Sequence, residues 1–447
     1  MKTSKTILFI GHLWPEPCSS AAGYRTLALI NALVNDTLVN NKSEQGEYYW
    51  QLHFACAADK TEFCADLDSI GDNLGDKPGI ISHQIKLNDS TFDNLIIDLK
   101  PDFVFYDRFI TEEQFAPRIH EHCPDAINIL DTQDLHFLRR ARQKALKNGQ
   151  AIDYYSDDCI REIAAILRCD LSLIISRYEM QLLIEQFTIS PDILHYCPFM
   201  LSTASDSSHP DTLKPFSARE HFVMIGNFLH SPNWDAVLWC YQSLWPKIRQ
   251  QLPDAQIHIY GAYPSEKVYQ LHQPDKGFII KGRARDAIET LAHYRVNLAP
   301  LRFGAGIKGK IADGFIARTP CVTTPIGYEG MGYEGMAYEG VGDANNKPWG
   351  GLVSDTIDNE QQLIQYAVDL YSDESLWRQC SEACLPLIKH LFDERQHTEL
   401  FIKRLHALNN SLSEHRKNNF FGQILRHNLY RSQYFMSKWI EEKNKEK

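Results

Sequence analysis

The stretch from Ala299 to Met331, APLRFGAGIKGKIADGFIARTPCVTTPIGYEGM, limits the possible folds more than any other. A short apolar strand ends at Pro300. Gly304, Ala305 and Gly306 follow, then Ile307, Lys308 and Lys310. A helical run covers 311–317 and a second strand 320–324. Strand, glycine turn, helix and strand in this order make one unit of a parallel α/β sheet. Small residues at the turn let an anion approach the backbone. The helix start then offers unpaired N–H groups and a partial positive charge. A lysine at that place adds a full charge that can reach a phosphate oxygen. The ligand this chemistry selects is a phosphate or diphosphate. The plainer reading, a βα turn with ordinary glycines, is weakened by the two lysines beside it.

The same grammar recurs along the chain. Residues 6–10 form an apolar strand that meets Gly11. A loop runs to Gly23, and 24–33 has helical spacing with Arg25 in its first turn. Further strands read at 50–58, 80–85, 103–106, 126–130 and 171–175, with helical patterns at 92–99, 114–122 and 178–187. After the 126–130 strand, Asp131, Asp134, His136, Arg139 and Arg140 cluster at the edge where open α/β sheets place their ligands. That cluster suits acid–base or anion-holding work, or else a capped, solvated helix start. Residues 201–220, rich in Ser, Asp and Pro, read as a linker. Beyond it, strands at 222–225, 256–260 and 277–280 end at Gly226-Asn227, Gly261 and Gly282-Arg283, again on one edge. The expected division is a first domain at 1–200, a linker at 201–220, a second domain at 221–385 and helices at 386–447. GYEGM at 327–331 repeats at 332–336 and loosely at 337–341, which reads as an expanded loop with Glu329 in its first copy.

A chain of 447 residues accommodates two or three domains. Its net charge of −11 argues against general nucleic-acid binding. The 11 cysteines stand singly and form no CxxC, so neither a zinc site nor a disulfide framework is expected. A reducing cytoplasm suits them. The opening MKTSKTILFIG has an apolar part too brief for a signal peptide, and no run approaches the length of a membrane span. The tail from Arg416 to Lys447 is basic, with Phe420, Phe421, Ile424, Phe435, Met436 and Trp439 at amphipathic spacing. Such a helix can dock on protein or lie on anionic lipid at the inner face of a membrane.

Four segments, FVMIGNFLHSPNWDAVLW, IHIYGAYP, GFIIKGRARD and the opening stretch through PCVTTPIGYEGM, resemble the retaining GT-B glycosyltransferases of family four, "glycosyl transferases group 1". In the first half ILFIGHLWPEP, the loop to Gly23 and LDTQDLHFLRRAR match more loosely. The resemblance implies two Rossmann-like, doubly wound domains facing a cleft, with a helical C-terminal extension. It implies a nucleotide-diphosphate-sugar donor, no cofactor, no metal, and a glycan, lipid-linked or protein acceptor in surface glycan assembly. Lys308 and the N–H groups of Gly304 to Ile307 would hold the diphosphate, and Asp313 the ribose hydroxyls. The family's first glutamate falls on Ala305. Arg283 and Arg285 would lie near the base, and Gly23 would approach the phosphates from the first domain. Gly11, Arg25, Gly226, Asn227 and Glu329 would complete the binding edge. His136, with Asp131 as competitor, would touch the sugar. Two other readings are a nucleotide-sugar binder without catalysis and a two-domain nucleotide-sugar epimerase.

Overall fold

The computed structural model describes residues 3–42, 48–70, 79–202, 214–332 and 349–445. The middle of the expected linker and the later GYEGM copies lie outside them. The first domain holds β1 (Thr3–Gly11), β2 (Tyr48–Cys56), β3 (Ile81–Gln84), β4 (Phe103–Asp107), β5 (Ile127–Asp131), β6 (Leu171–Ile174) and β7 (Leu194–Tyr196). All pair in parallel, in the order β3-β2-β1-β4-β5-β6-β7. The second domain holds β8 (Glu220–Ile225), β9 (Ile257–Tyr260), β10 (Phe278–Gly282), β11 (Tyr294–Ala299), β12 (Cys321–Thr323) and β13 (Gly351–Val353). Its parallel order is β10-β9-β8-β11-β12-β13. Helices cover both faces, which is why central strands such as β5 are buried along their whole length, Asn128 and Asp131 included.

In each sheet the strand order reverses beside the first strand, between β1 and β4 and between β8 and β11. Ligand crevices open at such points, outside the carboxyl ends of the strands. The two reversal points face each other here, because loops after β1 and β5 touch loops after β8 and β11.

The chain passes between domains twice at one place. Leu201 pairs with Asp393; the Leu201 N–H donates to Phe392 O at 2.9 Å and the Glu394 N–H donates to Leu201 O at 3.3 Å. The helix Glu374–Phe392 runs straight through Pro386, and Leu387, Ile388 and Phe392 pack in the core under β12 and β13. The second domain therefore continues past the expected boundary at 385. The helix survives because a proline in its interior removes one ladder bond while the buried face keeps its contacts.

Beyond Asp393 three helices, Glu394–Asn418, Phe420–Leu425 and Arg431–Lys445, return to the first domain. Phe401, Leu405 and Leu408 enter its core. Ion pairs dock the end of this tail: Arg426 and Arg416 on Asp170 at 2.7 and 2.9 Å, and Glu441 on Arg118 at 3.3 Å. Among the described residues no helix is long and apolar enough to cross a membrane.

Candidate functional site

The loop after β11 is pressed against the first domain. Gly306 has φ +63°, and a Cβ there would come within 2.9 Å of Asp134 Cβ and 3.3 Å of Ile175 Cγ2. Glycine is needed for both reasons at once: the left-handed backbone and the close wall. The Gly306 N–H donates to Glu179 Oε1 at 2.8 Å, an oxygen that also accepts from the Leu135 N–H at 2.9 Å. Glu179 opens its helix as the last residue of a Ser-x-x-Glu sequence, and Ser176 Oγ accepts from its N–H. Its carboxylate leaves that box and reaches across to the second domain. One of the amides expected to cradle a diphosphate is thus already bound by protein.

Arg142, in the helix His136–Asn148, answers from the first domain. It donates to Gly304 O at 2.8 Å and grips both oxygens of Glu329 at 2.6 and 3.1 Å. Lys308 Nζ donates to Gly306 O at 2.7 Å and lies 3.7 Å from Glu329 Oε1. Lys308, Glu329 and Arg142 form one buried charge group across the domain boundary. Ile307 packs with Ile175 and Phe199 from the other side, and Ala305 packs against the first-domain core.

The helix Gly309–Ile316 begins beside the start of the helix Ala21–Lys42; a Cβ on Gly309 would lie 3.0 Å from Ala21 Cβ. Neither helix has an acidic residue in its first turn. Two positive helix ends converge, neither with a carboxylate in its own first turn, which favours an anion. Lys310 Nζ donates to Asn233 Oδ1 at 2.5 Å and stands over Gly226, where a Cβ would be 3.0 Å from that nitrogen. Burial pushes the Lys310 ammonium down to about 8. One turn on, Asp313 is half-buried, and its carboxylate has no hydrogen bond or ion pair with a described residue. Burial, with Asp286 nearby, pushes its carboxyl up to about 7.

The other expected residues separate into groups. Arg25 and Asp131 are buried on each other at 2.8 Å, and Arg25 also donates to Cys197 O and Pro198 O. They tie the first helix to β5 through this buried pair. Gly11 accommodates Phe54, whose Cζ would sit 2.5 Å from a Cβ, and Gly23 accommodates the backbone of Glu16. Their lack of a side chain therefore has a packing cause. Arg283 donates to Ser19 Oγ at 2.5 Å and lies 3.4 Å over the Phe63 ring; Asn227 Nδ2 reaches Ser19 O at 3.5 Å. Tyr263 donates to Glu16 Oε2 at 2.6 Å. These contacts close the first-domain loop onto the second domain, whereas Arg285 is exposed.

His136 Nε2 lies 3.3 Å from Asp134 Oδ1, next to the residue that touches Gly306. Burial outweighs Asp134 and pushes the imidazole down to about 4, so it is neutral at neutral pH. Burial raises the Asp134 carboxyl, but Arg139 and His136 outweigh it and hold it below the usual carboxylate range. Glu162 accepts from the N–H groups of His136 and Phe137 at 3.2 and 2.9 Å, and burial pushes it up to about 8. Its ordinary value is 4.5. The stability it contributes is fully present below that value and is lost as pH rises through about 8, with a slope of up to about 1.4 kcal/mol per pH unit. Urea unfolding across this range should show the decline, and Glu162→Gln should remove that part of it. Parallel pH profiles for both proteins would refute this reading.

Residues 219–373 match the family model described as glycosyl transferases group 1. No curated protein matches the chain. Among solved structures, Anabaena HepE in complex with UDP and glucose is 12% identical, with 90% of this chain and 100% of that chain covered and a TM-score of 0.62. The pneumococcal O-GlcNAc transferase GtfA, in complex with UDP and GlcNAc, is 11% identical over 90% of this chain and 99% of that one, TM-score 0.59. A mutant of S. aureus TarM, in complex with Fondaparinux, alpha-GlcNAc-glycerol and UDP, is 14% identical with a TM-score of 0.53. There the match covers 71% of this chain and spans only 58% of the TarM chain.

Proposed function

We propose that this chain, whose residues 219–373 match the group 1 glycosyl transferase model and whose fold is that of the GT-B structures it resembles, is a glycosyltransferase that moves a sugar from a nucleotide-diphosphate-sugar to an acceptor in surface glycan assembly. The observation that carries the donor class is the meeting of two acid-free helix starts beside Lys308 and Lys310. Three neighbours hold UDP in their complexes, and UDP-sugars are the donors to try first.

The chemistry follows from the charges. Breaking the anomeric C–O bond leaves negative charge on the diphosphate and positive character on the sugar ring. The helix starts and the two lysines meet the first at fixed positions, in place of a metal ion. Asp313 accepts from the ribose hydroxyls. Neutral His136, beside Asp134, faces the sugar and offers a hydrogen bond without adding charge. The first-domain wall excludes water that would otherwise hydrolyse the donor. An acceptor hydroxyl attacks from the face the diphosphate leaves and passes its proton to the departing diphosphate oxygen, so the anomeric configuration is retained. Ala305, where the family has a glutamate, favours a binding-only reading; it packs against apolar side chains and offers no acceptor.

Incubating the purified protein with UDP-sugars and candidate acceptors tests the reading. Released UDP with a glycosylated product of unchanged anomeric configuration, insensitive to chelator, is expected. An epimerised donor, or tight binding with no turnover, would replace it. Asp313→Asn should weaken UDP binding by about tenfold or more, the worth of hydrogen bonds to a charged acceptor. Wild-type affinity should rise as pH passes about 7, where Asp313 ionises, and the variant should lose that rise. Calorimetric titration measures both, and equal affinities would remove Asp313 from the site.

A further inference from the structure

The C-terminal helices are amphipathic in the opposite sense to a helix that folds against a core. Their inward face is polar: apart from Gly422, the buried positions of the last segments are Arg426, Tyr430, Ser437 and Glu441. Each has a first-domain partner, namely Asp170, Glu112 and, for the last two, Arg118. The outward face is apolar. Phe420, Phe421 and Ile424 stand at i, i+1 and i+4, and Phe435, Met436 and Trp439 repeat that spacing, which puts each trio on one side of its helix. Phe421 is 75% exposed, Phe435 and Trp439 59%. A helix normally turns its apolar stripe to the core and its ions to water. Here the buried ions fix the helix in the orientation that presents aromatic rings outward.

The surroundings of this stripe are cationic. Eight lysines and arginines but three glutamates lie in 416–447, in a chain whose net charge is −11; Arg416, Arg426, Lys438 and Lys445 are paired with carboxylates, and Lys417, Arg431 and Lys443 remain for the surface. Lys417, Arg431 and Lys443 are exposed, and Lys443 Nζ sits 5.0 Å over the Trp439 ring. We propose that this face is a docking surface for an anionic lipid bilayer, with the aromatic stripe entering the headgroup boundary and the cations meeting lipid phosphates. Aromatic and aliphatic side chains flanked by lysine and arginine are what an in-plane helix uses for that purpose. A second copy of the chain fits less well. An isologous contact would bring Arg431 and its neighbours against the same cations of the other protomer. The surface is carried by the first domain, on which the tail is docked. The inference does not depend on the proposed transfer reaction.

Co-sedimentation of the full chain with vesicles tests it. Vesicles of mixed phosphatidylglycerol and phosphatidylethanolamine should pellet the protein, vesicles of phosphatidylcholine alone should not, and added salt should release it. The double variant Phe435→Ser with Trp439→Ser should bind anionic vesicles at least about tenfold more weakly, and Arg431→Glu should weaken binding as well. These side chains are exposed, so the melting temperature should stay put and serve as the folding control. Failure of the wild type to bind anionic vesicles, or equal binding by the double variant, overturns the proposal. So does a dimer in light scattering that the same substitutions convert to monomer, because the face would then belong to a second copy.

Discussion

Lys308→Ala is expected to lower kcat/KM for sugar transfer by about 10²- to 10³-fold, the usual loss when one fixed donor to a developing anion is removed. The ammonium spends one of its three hydrogens on Gly306 O and is held in place by Glu329. The remaining hydrogens and the charge are available beside the converging helix starts. The fold should persist, because Arg142 still neutralises Glu329 in the variant. Lys308→Arg restores the charge and should recover most of the loss. Steady-state kinetics with a released-nucleotide assay separates these outcomes. A variant within about threefold of wild type would show that the diphosphate is held elsewhere, with Lys310 as the next group to remove.

Arg142→Ala should act on the joint between the domains. The guanidinium and the Glu329 carboxylate are 7% and 9% exposed at their side chains. Removing the arginine leaves a buried carboxylate with only Lys308 nearby at 3.7 Å, and strips the donor from Gly304 O. Breaking a buried pair in this way costs about 3–5 kcal/mol. The two partners sit in different domains, so the cost falls on the joined arrangement more than on either domain alone. The expected result is a larger radius of gyration by X-ray scattering and a raised KM for donor. Arg142→Lys should repair only part of it, since an ammonium cannot reach Gly304 O and both Glu329 oxygens as the guanidinium fork does. Identical scattering and kinetics for Arg142→Ala would show that the joint does not rest on this pair.

What could be read along the chain was what local pattern determines. β8 and β11 end at glycine or just before a glycine turn, and both were legible as apolar runs meeting small residues. β13 has three residues and follows the GYEGM copies, and it left no periodic signal. Groups joined over long separations were illegible. Arg142 meets Gly304 across 162 positions, and Glu179 meets Gly306 across 127. Extending the charged cluster after β5 by one helical turn would have included Arg142. Arg25 and Asp131 show the converse: both lie at the edge where such sheets place ligands, and the structure pairs them with each other, which their positions along the chain did not reveal. Charge at a strand end marks the edge of the sheet and does not say which ions remain free. The tail taught the same lesson. Its apolar spacing was evident, but the acids that hold its polar side, Asp93, Glu112 and Asp170, lie far back in the first domain.

The paired crossings at Leu201 and Asp393 have a mechanical consequence. Two chain segments bonded side by side act as a single pivot, so any opening of the molecule must swing about that spot. Everything after Glu394 travels with the first domain. If the acceptor is presented at that domain, the moving body is the one that carries the donor, and the half that carries the tail stays anchored while nucleotide is exchanged.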